Sequence, residues 1–354
     1  MQIFHLAAAS LAVLTFAAAA PRPAFADSKT RISGPHAHEN LAVYFIHGTS
    51  APGPVPLTLQ EALDKGSVRV LETGEVNELK IENTGEDDVF IQSGDIVKGG
   101  KQDRVLRLSF VLPPKSGAVP IAAFCVEAGR WSARGSESVA AFMSAAEAMP
   151  SREAKLAMRA PNAAAAAGPA ASNAADRIGV DPVHSRQQEV WASVAATQSK
   201  LSEQLETAVA SPRSATSLQL SLENEKLKEA RAAYMSALDA SEAKKDDIVG
   251  YVIAVNGSVA SADVYPSNAL FRKMWPKLLA AAVTEAIGAR GGKPADAPSV
   301  ETVDRFLVAA ESGSAQEEVV NDLTRQEVRD AEKALFVEAR RGDGAWVHRN
   351  YLAK

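Results

Sequence analysis

The glycine-rich corner at residues 94–104 brings together residue types that can hold an anion. Glycine tolerates positive φ and lets backbone amides approach a ligand closely, while lysine and arginine supply positive charge. Amides and cations placed together can bind a phosphate or a carboxylate. The alternative interpretation is a tight turn whose lysines are solvated. The candidate ligand-binding residues of the corner are Asp95, Lys98, Gly99, Gly100, Lys101, Gln102 and Arg104.

A second candidate is the segment CVEAGRW, which carries the only cysteine of the chain. On a strand, Cys125 and Glu127 point to the same face. If Phe124 and Val126 on the opposite face fill the core, Cys125 and Glu127 face a groove. Arg130 follows the strand and could lower the pKa of the thiol or pair with Glu127. We therefore add Arg130 to the candidate ligand-binding residues.

An enzymatic interpretation gives two of these residues catalytic roles. Cys125 would act as the nucleophile, or Glu127 as the general base. A cysteine phosphatase brackets a longer loop with its Cys and Arg, ahead of a helix, and the four residues between Cys125 and Arg130 are too few. A rhodanese-type loop fails for the same reason. The alternative is a structural thiol beside a Glu–Arg ion pair, with Trp131 as a core anchor.

The rest of the sequence gives little indication of a metal site or of a Ser–His–Asp catalytic triad. The pair His36 and His38 has H-x-H spacing, which alone is a poor indicator of a metal site, so we expect no metal. No serine stands in a nucleophile-elbow context, and no Ser–His–Asp pattern is predicted. The sequence identifies no cofactor.

The composition is that of a globular chain that does not bind nucleic acid. The 354 residues are 46% hydrophobic and 23% charged, and 38 Lys+Arg against 43 Asp+Glu give a formal net charge of -5. Nucleic-acid-binding proteins usually carry a basic excess. We therefore expect no nucleic-acid partner.

The first 26 residues are typical of a secretory signal peptide. An apolar run at residues 6–20 is broken by Pro21 and Pro23, and small residues precede a predicted cleavage after Ala26. These features predict a secreted or periplasmic protein. No later stretch is apolar enough to span a bilayer, so we expect no transmembrane span in the mature chain. A single thiol also excludes an internal disulfide.

The remaining chain has a β-rich part followed by a helical part. Alternating apolar residues and turn signals predict many short strands, and the later segments have helical spacing interrupted by one Asn-Gly hairpin. Two long helices at 187–240, joined by a short connection, are expected to pair antiparallel. The predicted segments are a mobile leader (27–40) and one domain (41–354) with a β-rich part (41–134), a helical stretch (135–159), a flexible Ala-rich insertion (160–180) and a helical part (181–354) containing the hairpin (248–264).

Several of these stretches together resemble a known family. The sequence is similar to the ARG and Rhodanese-Phosphatase-superfamily-associated protein domain, most specifically through GGKQDR and CVEAGRW. The resemblance runs from about Leu41 to the C-terminus. It implies an association with ADP-ribosylglycohydrolase, rhodanese and phosphatase domains but no reaction. The matching stretches are residues 89–106, 125–131, 217–227, 263–275 and 346–352.

These observations predict an α+β fold and a ligand-binding function. The expected architecture is a β-sandwich-like antiparallel sheet, a long helical pair, a β-hairpin and C-terminal helices that pack back. We expect an exported domain that binds a small anionic ligand resembling a phosphate or ADP-ribose. The alternatives are the enzyme described above and an interaction protein that acts through the helices at 187–240. The sequence identifies no protein partner.

Overall fold

A computed structural model describes residues 30–159, 182–238, 243–292, 295–321 and 323–354. The predicted signal peptide (1–26) and the predicted Ala-rich insertion (160–180) lie outside the described residues. The described part of the chain has an α+β fold, as predicted, in which helices pack against largely antiparallel sheets.

Seventeen strands form three sheets in the described part of the chain. The strands are β1 (Arg31–His38), β2 (Leu41–His47), β3 (Leu57–Thr58), β4 (Val68–Glu72), β5 (Glu78–Asn83), β6 (Val89–Ile91), β7 (Asp95–Gly99), β8 (Arg104–Leu106), β9 (Phe110–Leu112), β10 (Gly117–Cys125), β11 (Phe142–Ala148), β12 (Ile248–Val255), β13 (Ser258–Val264), β14 (Ser314–Asn321), β15 (Thr324–Asp330), β16 (Ala334–Arg341) and β17 (Trp346–Ala353). The helices are α1 (Leu59–Asp64), α2 (Arg152–Arg159), α3 (Pro182–Gln204), α4 (Leu218–Leu222), α5 (Glu225–Ala237), α6 (Asn268–Gly288) and α7 (Val300–Glu311).

The largest sheet joins the two ends of the described chain. Its strand order is β1-β2-β12-β13-β17-β16-β15-β14, and its neighbouring strands are antiparallel. The predicted hairpin at 248–264 is confirmed as β12 and β13. The prediction of a mobile leader at 27–40 is wrong for residues 31–38, because β1 pairs with β2 along its length. Backbone pairing with β2, together with packing of Ile32 against an apolar cluster, orders this largely polar segment.

The β-rich part forms a barrel-like sheet. Its six strands have the order β11-β7-β8-β10-β5-β4, and a bridge between Leu71 and Ala141 brings the two edge strands together. One apolar cluster, with Val70, Leu106 and Ala123 among its members, fills the interior. A small sheet of β3, β6 and β9 adjoins it and contains a parallel pair. We call the six-stranded sheet the barrel.

The predicted helical stretch at 135–159 is only partly helical. Residues 142–148 form β11, which pairs with β7 and supplies an edge strand of the barrel. Helix α2 occupies only the end of the stretch. Alanine favours helix intrinsically, but burying Phe142 in the barrel and extending its hydrogen-bonded edge outweigh that weak preference.

The later helices surround α6. Helices α3 and α5 correspond to the long helices predicted at 187–240, but they do not form the predicted antiparallel pair: α3 packs chiefly on α2 and also on α6, whereas α5 packs on α6. The second predicted helix is interrupted, because Asn224 caps the start of α5 just after the short α4. Ser267 caps α6. The main apolar cluster lies where these helices meet the barrel and the large sheet. None of the described helices has the length and apolar character of a membrane span.

Candidate functional site

The glycine-rich corner and the cysteine strand are neighbours at one end of the barrel. Strand β8 pairs with β10, and Arg104 stands directly opposite Cys125. Side chains two positions apart on a strand share a face. On three strands of the barrel, the residue that follows the apolar core on the interior face is therefore polar or a cysteine. These residues are Glu72 after Val70, Arg104 before Leu106 and Cys125 after Ala123. We call the group Glu72, Lys101, Arg104, Cys125 and Trp131 the barrel mouth.

Arg104 is the most unusual residue of the barrel mouth. Its side chain is 0% exposed, and its Nη1 donates to the carbonyl oxygen of Gln102 at 2.8 Å. Its Nη2 lies 3.8 Å from Glu72 Oε2, and neither Nε nor Nη2 has a hydrogen-bond partner among the described residues. A buried donor without a partner costs about 1–3 kcal/mol, more when it is charged. The site therefore holds unused binding capacity at a guanidinium.

Trp131 covers this guanidinium from outside. The ring centroid lies 5.6 Å from Arg104 Cζ and 4.9 Å from Lys101 Nζ, within the range of cation–π contacts. The indole is 43% exposed, so it is not the core anchor expected from the sequence. It forms a cover that separates the buried Arg104 from solvent.

The Cys125 thiol is buried and is a poor nucleophile. Its Sγ lies 3.5 Å from the carbonyl oxygen of Val76, while Gln187 holds both the backbone N–H and the C=O of Cys125 at 2.9 Å. Burial raises the pKa of the thiol to about 11, and the nearby Arg104 offsets this only in part. Since the thiolate is the reactive form, this environment disfavours covalent catalysis at neutral pH.

Glu127 lies in a neighbouring cluster whose charges are balanced. Its carboxylate accepts hydrogen bonds from Ser214 Oγ at 2.5 Å and from the Asp103 N–H at 3.2 Å, and it pairs with Arg130 Nη2 at 2.7 Å. Burial raises the pKa of Glu127, but the hydrogen bonds from Arg130 and Ser214 outweigh it, so the pKa is lowered. A carboxylate held in this way is a weak general base.

The sequence did not single out Asp103 and Arg134, which complete this cluster. Arg134 donates to both carboxylate oxygens of Asp103, at 2.8 and 3.0 Å, and lies 3.3 Å from Glu127 Oε1. Ser217 Oγ adds a hydrogen bond to Asp103 at 2.8 Å. The available signal was the pairing of two acids and two arginines, with Asp103 inside GGKQDR and Arg134 shortly after Arg130. The cluster ties the loop at 128–141 to the loop before α4.

The backbone amides of the corner do not form an anion cradle. The Gly99 N–H donates to Asp103 Oδ1 at 3.0 Å, and the Gly100 N–H donates to the Ala141 carbonyl at 3.2 Å. Their carbonyls accept from Arg130 at 3.3 and 3.0 Å. Part of the sequence expectation is therefore wrong, because protein groups already satisfy these amides. Cations, rather than amides, carry the remaining anion-binding capacity.

Two further predicted ligand-binding residues are used in internal ion pairs. Lys98 Nζ lies 2.6 Å from Glu223 Oε1. Asp95 is buried and pairs with Lys277 of α6 at 2.7 Å. Gln102 is buried and contributes its carbonyl to Arg104. Of the predicted cations, Lys101 and Arg104 thus remain at the barrel mouth.

The fold also assembles a Ser–His–Asp contact that the sequence did not predict. His348 Nδ1 lies 3.0 Å from Ser109 Oγ, and His348 Nε2 lies 3.1 Å from Asp263 Oδ1. All three residues are buried, and Ser109 Oγ also accepts from the Ser93 N–H at 2.9 Å. Three distant segments supply these residues, so no local motif marks them. Their burial indicates a polar joint between sheets rather than a nucleophilic site.

The residues described offer no metal centre, since they contain no group of three His, Cys, Asp or Glu side chains placed to hold an ion. No curated protein matches the chain, and no solved structure matches it. Residues 29–352 match the family described as the ARG and Rhodanese-Phosphatase-superfamily-associated Protein domain. That match spans nearly the whole chain, including the corner and the cysteine strand around the barrel mouth. The chain therefore belongs to the ARPP-1 family.

Proposed function

We propose that this protein is an exported ligand-binding protein whose barrel mouth takes a small anion of the phosphate or ADP-ribose type. The observation that carries the proposal is Arg104, a buried guanidinium with two nitrogens that lack hydrogen-bond partners among the described residues. A phosphate or carboxylate oxygen satisfies such donors with charge-assisted hydrogen bonds. The predicted signal peptide at 1–26 is the basis for proposing export.

The ligand enters by displacing the indole of Trp131 from Arg104. Trp131 lies on the loop between β10 and β11, where the exposed ring makes contacts with cations. Lys101 stands beside the ring and adds a second positive charge to the entrance. Once displaced, the indole offers a flat apolar surface on which a planar group of the ligand stacks. This arrangement favours a phosphorylated compound that carries an aromatic ring over phosphate alone.

Calorimetric titration with inorganic phosphate, ADP, ADP-ribose and uncharged adenosine tests the proposal. We expect saturable binding of a phosphorylated compound and none of adenosine. Lys101→Ala and Arg104→Lys should each weaken binding by about tenfold or more, the cost of losing a hydrogen bond to a charged group.

Arg69→Lys is the matched control, because Arg69 lies on the same barrel in an exposed pair with Glu82. The Arg69→Lys variant should bind the phosphorylated compounds with the same affinity as the native protein. Thermal melting of each variant establishes that it is folded. The proposal fails if none of the phosphorylated compounds binds, or if both barrel-mouth variants bind them as tightly as the native protein does.

A further inference from the structure

A cavity of about 210 Å³ lies away from the barrel mouth, where four elements meet. The first residues of α2, the second half of α3, the β12–β13 turn and the end of α6 line it. Its titratable side chains are Arg152, Glu153, Lys200 and Glu285. We call it the α6-end cavity. Its volume is of the order of a small metabolite.

Glu285 is a cavity-lining acid that has no ion-pair partner within 4 Å among the described residues. Other buried acids are matched: Asp95 with Lys277, Glu127 with Arg130 and Asp263 with His348. Burial raises the pKa of Glu285, and Lys155 and Arg152 offset that effect only in part. An acid in this environment gains most from a cationic partner brought in by a ligand.

The end of α6 reinforces this preference. The cavity borders Gly288 and Ala289, where the last carbonyl groups of the helix carry partial negative charge. Asn256 occupies one of these acceptors, since its Nδ2 donates to the Ala289 carbonyl at 2.9 Å. The Glu285 side of the cavity is therefore suited to an ammonium group.

The opposite charge is available at Lys200 on α3. This exposed lysine lines the cavity and makes no ion pair with any described residue. Arg152 at the start of α2 is already engaged, because its backbone N–H is hydrogen-bonded to Glu285 and its guanidinium contacts Glu153 at 3.7 Å, so Lys200 is the cation left for a ligand. The cavity thus presents an acid and a lysine, neither with an ion-pair partner among the described residues, to the same small space.

The remaining lining disfavours planar and polyhydroxylated ligands. None of the described residues around the cavity is aromatic, so a ring has no stacking surface there. The hydroxyls of Thr197 and Thr284 donate to carbonyls of their own helices at 2.8 Å, which removes two donors that a sugar would use. The lining leaves charge as the main basis of recognition.

We propose that the α6-end cavity binds a small zwitterion with the size and charges of an amino acid, its ammonium group at Glu285 and its carboxylate toward Lys200. This site is independent of the proposed anion site at the barrel mouth. The two ligands differ in chemistry, because the barrel mouth offers two cations and an indole beside Glu72, which backbone N–H groups already engage, whereas the cavity offers one charge of each sign.

Calorimetric titration of the full chain with L-alanine, L-threonine, L-leucine and L-glutamine tests this proposal. We expect at least one to bind saturably, and its N-acetyl and carboxamide analogues to bind about tenfold more weakly or less, because each lacks one charge. Glu285→Gln and Lys200→Gln should weaken binding of the same amino acid to a similar extent. Glu285→Gln preserves side-chain size, so it is expected to fold.

Glu229→Gln and Lys226→Gln on the exposed face of α5 are the matched controls and should bind like the native protein. Lys101→Ala at the barrel mouth should also leave amino-acid binding unchanged, which separates this proposal from the first one. Absence of binding by all four amino acids would overturn the proposal. So would an N-acetyl analogue that binds as tightly as its parent, or unchanged affinity in Glu285→Gln.

Discussion

Arg104 and Arg134 are both buried at the same end of the barrel, but their guanidinium groups differ in the contacts they make. Arg134 donates to Asp103 and Ser217 and contacts Glu127, so its charge is matched by nearby groups. Arg104 has two nitrogens without hydrogen-bond partners among the described residues, lies 3.8 Å from Glu72 and has Trp131 above it. This difference is why we propose Arg104, and not Arg134, as the ligand-binding guanidinium, because stability alone favours satisfying every buried donor.

Cys125 should react slowly in the folded protein. With its pKa raised to about 11 by burial, only a very small fraction of the thiol is ionised at pH 7.5. We expect iodoacetamide to label Cys125 slowly in the native state and rapidly after unfolding in guanidinium, with labelling followed by mass spectrometry. Rapid labelling of the native protein would contradict this assignment and restore Cys125 as a candidate nucleophile.

Gly100 should tolerate no side chain. Its φ of +54° is unfavourable for other residues, and a Cβ at this position would overlap the ring of the buried Phe142. We expect Gly100→Ala to lower the free energy of unfolding by about 2–4 kcal/mol, combining backbone strain with overpacking. Chemical denaturation measures this change.

Gly129→Ala is the matched control for that measurement. Gly129 has a φ of +81°, but a Cβ there would meet no atom within 4 Å. Only the backbone cost remains, so we expect a loss of about 1–2 kcal/mol. Equal losses in the two variants would show that Phe142 moves aside without cost.

Among the helices and strands, the sequence best predicted those whose own apolar residues recur at the spacing of one buried face. The hairpin at 248–264 was recognisable from its alternating apolar residues and its Asn-Gly turn. Strand β1 and strands β14 and β15 were missed because their sequences are polar and charged. Such strands are ordered by backbone pairing with the strands next to them in the chain, which the alternation of apolar residues does not record.

The loop at 128–141 is held by ion pairs rather than by secondary structure. Arg134 anchors it to Asp103 and Glu127, both fully buried. We expect Arg134→Met to lower the free energy of unfolding by about 3–5 kcal/mol, because it removes the bidentate partner of the buried Asp103 carboxylate. Thermal and chemical denaturation test this expectation.

The exposed pair of Arg69 and Glu82 supplies the comparison. Arg69→Met removes a cation from the same barrel, but solvent screens this pair, so the loss should stay below about 1 kcal/mol. Losses of similar size for Arg69→Met and Arg134→Met would mean that the buried cluster adds little to the stability of the loop.

For the whole molecule, the sequence predicted which segments are neighbours better than it predicted their contacts. The neighbourhood of the corner and the cysteine strand followed from residue types, but Asp103 and Arg134, which neutralise Glu127, did not. Likewise, Asp263 and His348 lie on neighbouring strands of the large sheet and meet Ser109 only because the segment before β9 packs against that sheet. Burial decides whether a charged residue is structural or functional, and burial depends on the complete fold.

Asp263 makes the stability of the whole fold depend on pH in the acid range. Burial raises the pKa of this carboxyl, but the hydrogen bond and charge of His348 outweigh burial and lower it from 3.8 to about 2. The folded protein thus keeps the carboxylate ionised down to about pH 2, whereas the unfolded chain takes up a proton near pH 4. Because the unfolded state then binds more protons, the free energy of unfolding falls as pH falls through this window.

We expect this contribution to be on the order of 2 kcal/mol, fully present above about pH 4 and lost toward pH 2. Urea denaturation at closely spaced pH values should show a flatter acid dependence for Asp263→Asn than for the native protein, together with lower stability at neutral pH. Asp304→Asn, at an exposed position on α7, should keep the native slope. If Asp263→Asn shows the same change of unfolding free energy with pH as the native protein, then the contact between Asp263 and His348 does not make folding depend on pH.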